Sequence, residues 1–370
     1  MFAKRMKGIE VTGIRKMFEL AGEGAINLGL GEPDFQPARH IKEALEKALA
    51  DGFNKYGPTA GIYQLREAVA ERLKKYKSDI THDEIIITAG ATEALHAAML
   101  TFIEKGDEVL VPNPGFPLYP TEVSLAGGKP VFYRLKEDFM PNVANFKVSK
   151  KTKAIIVNSP SNPTGSVFSK EKVKEIIEFA EDNDLIIFSD EVYDEIIYDC
   201  EHFSFLGNYD NVVHINSFSK TYALTGWRLG YLAAKKEFVN EILKMHYYTV
   251  ACPPTPTQYA ALTALKSSQE CVKKMVSEFR KRRDTAIKII NDMKGFRCLP
   301  PKGAFYLFPS YNLDITSEKL ALKILEKNVI CVPGIAFGTA GESHLRISYA
   351  NSIENIEKGL GIVREVVEKL

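Results

Sequence analysis

The sequence predicts an α/β protein: a mostly parallel β-sheet with helices on both faces, joined to a smaller α+β domain. Three observations carry this expectation. Short β-branched runs alternate with amphipathic helical stretches up to about residue 258. Beyond that point the pattern changes to long charged helices and short strands. A chain of 370 residues also exceeds what one hydrophobic core comfortably holds.

The strands are expected at Glu84–Thr88, Glu108–Val111, Lys153–Val157, Leu185–Ser189, Val212–Asn216 and Arg228–Ala233. Between several of them lie helical patterns such as Ala91–Glu104 and Lys170–Asn183. Buried strands alternating with amphipathic helices imply a sheet covered on both sides. Ligands in such sheets sit beyond the carboxyl ends of the strands. The second domain is expected to contain a helix over Ser277–Met293 and strands near Ala304–Phe308, Val329–Val332 and His344–Ser348. The opening residues, with a helix and the loop Gly29-Leu30-Gly31-Glu32-Pro33, are expected beside it. The large domain is therefore placed at residues 46–275, and the small one at 1–45 with 276–370.

Composition excludes several classes. A formal net charge of +1 provides no global field for nucleic acid or an anionic membrane. Five scattered cysteines without a CxxC suggest neither a disulfide framework nor a zinc knuckle, which suits a reducing cytoplasm. Met1–Glu23 contains no continuous apolar stretch, and no run approaches a membrane span. The seven histidines form no HExxH or clustered ligand spacing, so no catalytic metal is expected. His214 lies within a strand and is read as packed. Gly29-Leu30-Gly31 lacks the third glycine of a dinucleotide fingerprint. In Gly127-Gly128-Lys129-Pro130 a proline follows the lysine, so it is no phosphate-binding P-loop.

The chemistry is carried by motifs at strand ends. Ser217-Phe218-Ser219-Lys220 follows Val212–Asn216 and presents an amine beside two hydroxyls; read alone, it describes a solvated turn. Gly226-Trp227-Arg228 adds a cation before the next strand. Ser189-Asp190-Glu191-Val192-Tyr193 ends a buried strand on a carboxylate, which needs a cationic partner or hydrogen bonds there. An N-cap role for Asp190 is the ordinary alternative. Asn158-Ser159-Pro160-Ser161-Asn162-Pro163-Thr164-Gly165 reads as a turn that can also present amides. Gly90-Ala91-Thr92 opens a helix whose free amides would receive an anion, although a plain strand–helix connection fits equally well.

In order, GAT, PNPGFPLY, NSPSNPTG, SDEVY, SFSK, GWRLG and LRISY resemble the class I aminotransferases of pyridoxal-phosphate fold type I. The resemblance spans Gly29 to Tyr349 and is strongest to archaeal and thermophile aromatic and aspartate aminotransferases. It implies that Lys220 carries pyridoxal 5'-phosphate as a Schiff base and acts as general base. Asp190 would pair with the pyridinium nitrogen. Asn162 and Tyr193 would hydrogen-bond the ring's phenolate oxygen, and Phe116 would stack on the ring. The Ala91 and Thr92 amides, Ser217, Ser219 and Arg228 would hold the phosphate. Tyr56 would reach that phosphate from the neighbouring subunit of a homodimer with shared active sites. Arg346, assisted by the Gly31 backbone and Asn158, would clamp the substrate α-carboxylate.

The resemblance further implies a ping-pong exchange between amino acids and 2-oxo acids, with 2-oxoglutarate as the common acceptor. Relatives specific for aspartate tend to carry a lysine where Thr92 stands here, which tilts the donor toward aromatic amino acids. Ile14, Phe18 and Tyr63 are candidates for facing a substrate ring, with core packing as their other role. An aspartate aminotransferase, or a pyridoxal-phosphate β-lyase on the same fold, is the alternative. A non-enzymatic sensor would need an appended domain, and no helix-turn-helix extension is visible.

Overall fold

The computed structural model describes residues 13–370 together with residues 2, 3, 6 and 9. Within the Met1–Glu23 stretch read for a targeting segment, residues 1, 4, 5, 7, 8 and 10–12 lie outside the described residues, as does the Ile14 side chain. The opening helix is α1 (Gly13–Glu19), followed by β1 (Ile26–Asn27), α2 (Arg39–Ala50) and α3 (Tyr63–Leu73).

A seven-stranded sheet forms the centre of the molecule. Its strands are β2 (Ile85–Thr88), β3 (Glu108–Asn113), β4 (Lys129–Arg134), β5 (Thr152–Asn158), β6 (Ile186–Asp190), β7 (Val212–Ser217) and β8 (Gly230–Ala233). Across the sheet their order is β2-β8-β7-β6-β5-β3-β4. The pairs from β4 through β7 are parallel, and β8 is antiparallel to both β7 and β2.

The strands read as continuous apolar runs because both faces are covered. On one face Ile86, Val109, Ile156 and Phe188 pack against α4 (Ala91–Phe102), α5 (Leu118–Leu125) and α8 (Lys236–Val250). The alternate residues Ile85, Ile87 and Ala233 turn the other way, onto α2, α3 and α9 (Thr255–Lys266). Leu110, Ile155 and Ile187 turn to that face too, onto α6 (Lys170–Asp182). Successive strand residues point to opposite faces, and the sheet follows that two-residue period.

The remaining elements are α7 (Phe218–Thr221), α10 (Glu270–Asn291), β9 (Phe296–Arg297), β10 (Tyr306–Leu307), β11 (Ser310–Tyr311), α11 (Ser317–Leu325), β12 (Val329–Ile330), β13 (Val332–Pro333), β14 (Leu345–Ser348) and α12 (Ile353–Val367). A separate core gathers Met17 and Leu28 with Phe279, Phe305, Ile324, Ile347 and Leu360. Strand β14 lies between β10 and β13 and carries Arg346 towards the large sheet. The five cysteines are free thiols. Among the described residues no helix is long and apolar enough to cross a membrane.

The expected elements are present with shifted ends. The helix expected from Ser277 begins at Glu270, and the strand expected from Arg228 begins at Gly230. Arg228 itself is left-handed, with φ 51°, at the end of a short 3-10 turn. Strand β4 was not anticipated, because Lys129-Pro130 reads as a turn. It lies at the sheet edge and pairs only with β3, where a proline is tolerated. The expected boundary between residues 45 and 46 falls inside α2, whose Ile41 packs with Ile62, Leu65 and Ile87.

His214 is packed in β7 as expected, fully buried and 3.3 Å from the Glu191 carboxylate through Nδ1. Glu191 also accepts from Ser189 Oγ at 2.7 Å, from Ser204 Oγ at 2.9 Å and from the Phe205 amide, and faces His202 Nε2 at 2.7 Å. Burial works against its charge, but the His214 and His202 rings overcome this and hold it below the usual carboxylate range. Burial lowers the His202 pKa, whereas its hydrogen bond and attraction to Glu191 raise it further, leaving it above the ordinary histidine value.

The signs of these two shifts define a pH window. The depressed Glu191 stabilises the fold above its unfolded value of about 4.3, and the raised His202 does so below about 6.5. Glu191→Gln should therefore lower stability by about 3 kcal/mol or more, most strongly between about pH 4.5 and 6.5. The deficit should shrink as pH rises through the folded pKa of His202. Thermal unfolding of both proteins at pH 6 and pH 9 checks this; an equal deficit at both would rule out a charged Glu191–His202 pair.

Candidate active site

The carboxyl ends of the parallel strands open onto a cavity of about 250 Å³. Strand β6 ends on Asp190, β5 on Asn158 and β7 on Ser217, and the short helix α7 then places Lys220 over the same space. Asp190 Oδ2 accepts from the Tyr119 hydroxyl at 2.8 Å, and Oδ1 accepts from the Val192 amide at 3.3 Å. Burial dominates the titration of Asp190. Its two donors oppose the effect, and the pKa still rises to about 6. The site thus holds a carboxylate that is hydrogen-bonded but without a cation of its own.

Lys220 Nζ donates to the Gly31 carbonyl at 2.7 Å. Burial is the main influence on this amine and lowers its pKa to about 8; Glu32 opposes the fall, while Arg228 and Arg346 add to it.

Arg346 is 2% exposed. It donates to Asn162 Oδ1 at 3.1 Å and to the Gly29 carbonyl, and its guanidinium lies over the rings of Tyr306 and Phe337. Among the described residues no carboxylate pairs with it, and burial lowers its pKa. A buried guanidinium with only neutral partners is a site waiting for an anion.

A second cationic corner lies at the start of α4. Gly90 has φ 85°, and a Cβ added there would meet Arg228 Nη2 at 2.6 Å, so only glycine lets the helix start and the guanidinium approach. The free amides of α4 face the cavity at Ala91 and Thr92, and Ser217, Ser219 and Arg228 line it too. Arg228 donates to the Thr225 carbonyl at 3.0 Å, again a neutral partner.

The sequence matches the family described as aminotransferase class I and II over residues 23–363. This chain belongs to the class I and II aminotransferases. It is 47% identical to a probable aspartate aminotransferase of Methanocaldococcus jannaschii, covering 100% of both chains. It is 41% identical to aromatic-amino-acid aminotransferase 2 of Thermococcus litoralis, covering 99% of this chain and 98% of that one. The crystal structure of an aromatic aminotransferase from Pyrococcus horikoshii superimposes with a TM-score of 0.91 at 41% identity, over 96% of this chain and 99% of that one. Chains of this aminotransferase family with known structures share the α/β architecture described above.

In this aminotransferase, fourteen site residues were expected from the sequence: Gly31, Tyr56, Ala91, Thr92, Phe116, Asn158, Asn162, Asp190, Tyr193, Ser217, Ser219, Lys220, Arg228 and Arg346. All except Tyr56 line the one cavity. Tyr56 is 90% exposed on the surface. Asn158 lines the cavity, but its amide hydrogens go to the Pro160 and Asp190 carbonyls and its oxygen accepts from the Asn162 amide. In this arrangement it supports the Asn162 loop, and direct donation to a substrate carboxylate is not available. Phe18 packs into the small core, and Tyr63 stacks edge-on to His82 at 4.7 Å; neither lines the cavity.

Sequence reasoning passed over four lining residues with clear roles in the geometry. Tyr119 restrains Asp190, and its position three residues after Phe116 in PNPGFPLY was a usable signal. Tyr306 shares a 2.8 Å hydroxyl contact with Tyr193 and lies under Arg346. Leu95 and Leu118 supply an apolar wall. As leucines on α4 and α5 they read as ordinary core.

Proposed function

We propose that this chain is a pyridoxal-phosphate-dependent aminotransferase that moves the amino group between an L-amino acid, aromatic ones favoured, and 2-oxoglutarate in two half-reactions. The observation that carries the reading is the buried Arg346, without a carboxylate partner among the described residues, in one cavity with Lys220 and Asp190. The residues fit the cofactor at both ends. Asp190 lacks a cation, and a protonated pyridine nitrogen is one. Arg228, two serine hydroxyls and the α4 amides form a cationic cradle suited to a phosphate. When bound, the cofactor supplies an aldehyde carbon that takes up nitrogen and a ring that stores an electron pair.

The chain's own residues supply the rest. Arg346 binds the α-carboxylate and fixes the α-carbon near Lys220. Lys220, with a pKa of about 8, has an appreciable neutral fraction near neutral pH. That neutral amine is the group that would hold the cofactor's aldehyde and take the α-proton of a substrate. Asp190, kept in place by Tyr119, would pair with the positive charge of the ring. Asn162 and Tyr193 line the same cavity and would donate to the ring's phenolate oxygen, and Phe116 would offer its ring as a stacking face.

The cations lining the cavity are Lys220, Arg228 and Arg346, and each already has a role. Among the described residues none remains for a second carboxylate, whereas Thr92, Leu95, Leu118 and Val192 offer a wall suited to a ring. Aspartate is the second reading, supported by the name of the Methanocaldococcus jannaschii relative. The aminotransferase names of the relatives favour transamination over the β-lyase alternative.

We further propose that the working form is a homodimer in which Tyr56 completes the partner's phosphate site. Tyr56 is 90% exposed, Tyr248 82% and Tyr247 52%. They lie on connected segments: Thr255 Oγ1 donates to the Lys55 carbonyl, and His246 Nε2 bonds the Thr59 carbonyl.

Borohydride reduction of the cofactor-loaded protein should fix the cofactor on Lys220, located by peptide mass spectrometry, and Lys220→Ala should lower kcat by about 10³-fold or more. A label on another lysine would contradict the assignment. For substrate choice, kcat/KM for tyrosine or phenylalanine should exceed that for aspartate, both with 2-oxoglutarate. A tenfold preference for aspartate, about 1.4 kcal/mol in the transition state, would reverse the choice and leave the reaction class standing. For the dimer, mixing Lys220→Ala with Tyr56→Phe chains under subunit exchange should restore activity above either parent. No recovery, with Tyr56→Phe itself impaired, would show that Tyr56 does not act across subunits.

A further inference from the structure

The loop Gly29-Leu30-Gly31-Glu32 bonds two cations of the site directly and reaches the third, Arg228, through Thr225. The Gly29 carbonyl accepts from Arg346, and the Gly31 carbonyl accepts from Lys220 at 2.7 Å. The loop's own shape is held by Asn27, whose side-chain oxygen accepts from the Gly29 and Leu30 amides at 3.1 and 2.9 Å. Tyr306 packs so closely on Gly31 that a Cβ there would overlap its hydroxyl, so the backbone position is tightly limited.

Glu32 makes the third connection. Its Oε2 accepts from Thr225 Oγ1 at 2.9 Å, a bond between residues 193 positions apart. Thr225 opens the 3-10 turn that presents Arg228, and the Thr225 carbonyl accepts from Arg228 Nη1 at 3.0 Å. One short chain of bonds thus runs from the loop that holds the carboxylate-binding Arg346 to the turn that holds the phosphate-binding Arg228. Glu32 contributes its side chain to that chain and has no contact with the reacting atoms.

We propose that Glu32 is a positioning residue which, through Thr225, ties the substrate-carboxylate loop to the phosphate end of the cofactor site, so that substrate and cofactor binding are energetically coupled. The proposal rests on the reading of this cavity as a pyridoxal-phosphate aminotransferase site. Loss of the tie frees the loop carbonyls that orient Arg346 and Lys220. At the same time it loosens the Thr225 turn under Arg228. Both binding events weaken; Thr225→Val leaves the Glu32 charge in place and changes kcat little, whereas Glu32→Ala also removes a charge that supports the Lys220 amine and so shifts the pH dependence of kcat downwards. A residue that served only the overall fold would lower thermal stability and kcat together.

The test uses the full-length protein with Glu32→Ala, Thr225→Val and the double variant. Two quantities are measured: the dissociation constant of pyridoxal phosphate for the apoprotein, by absorbance titration, and KM and kcat for the amino donor. Each single variant should weaken cofactor binding and raise KM by about five- to tenfold, the size expected for one hydrogen bond to a charged group at a partly exposed position. The double variant should be no worse than either single one, because both remove the same bond. Thr225→Ser keeps the hydroxyl and should restore wild-type values; Glu32→Gln keeps an acceptor oxygen and should recover most of them. These two also report should an alanine or valine variant fail to fold. Single variants within twofold of wild type in both constants, or losses that multiply in the double variant, would overturn the coupling. A wild-type protein that takes up no pyridoxal phosphate would overturn the underlying reading as well, and is distinguished by needing no variant to reveal it.

Discussion

Arg346, Lys220 and Arg228 donate to the carbonyl oxygens of Gly29, Gly31 and Thr225, where ion pairs would be the ordinary solution. A carbonyl satisfies the hydrogen-bonding demand of a cation without cancelling its charge. Three positive charges kept close in a partly dry cavity repel one another and are costly to bury. The lowered pKa of Lys220 registers that cost, with burial first and the two arginines adding to it. The loops carrying the carbonyls are fixed elsewhere, by Asn27, Tyr306 and the Glu32–Thr225 bond. Anionic ligands then meet charges that no protein carboxylate competes for.

The carboxylates near the site show the complementary strategy. Asp190 and Glu191 are neighbours in sequence at the end of one strand, yet they face different environments. Glu191 is surrounded by two histidines, two hydroxyls and an amide, and stays charged well below the usual range. Asp190 receives one tyrosine hydroxyl and one amide, and its pKa rises to about 6. The strand's two-residue period separates them: one carboxylate locks the segment beneath the sheet, and the other is left with capacity for a ligand.

Much of this was legible in the sequence, for physical reasons that apply residue by residue. Lys220, Asp190, Asn162 and Ser217 follow buried parallel strands, whose carboxyl ends converge by geometry, so motif order alone brought them together. Arg346 was readable only through the resemblance of LRISY, since nothing local in a short strand marks a cation as buried in a cavity. Strand β4 was hidden by Pro130, which local rules assign to turns and only edge placement permits. The amide assignments of Asn158 depend on the fold of its own loop. Tyr119 and Tyr306 carry an apolar body and a polar tip, and sequence weighs the body while the site uses the tip. The Glu32–Thr225 bond joins positions 193 residues apart and leaves no local trace.

Strand β8 carries a consequence for the chain as it is made. In the finished sheet β2 is an edge strand whose single neighbour is β8, and β8 separates it from β7. Residues 85–88 therefore have no native pairing partner until residues 230–233 have left the ribosome. For more than a hundred residues of synthesis the run Ile85-Ile86-Ile87 is left to the cover of α2, α3 and α4, since an unpaired apolar strand invites association with other chains. The same wait governs the anion cradle, because Gly90 follows β2 and Arg228 precedes β8. The nascent protein acquires its sheet edge and the corner where Gly90 meets Arg228 in one late event, so the formation of that corner reports that this closing strand has entered the sheet.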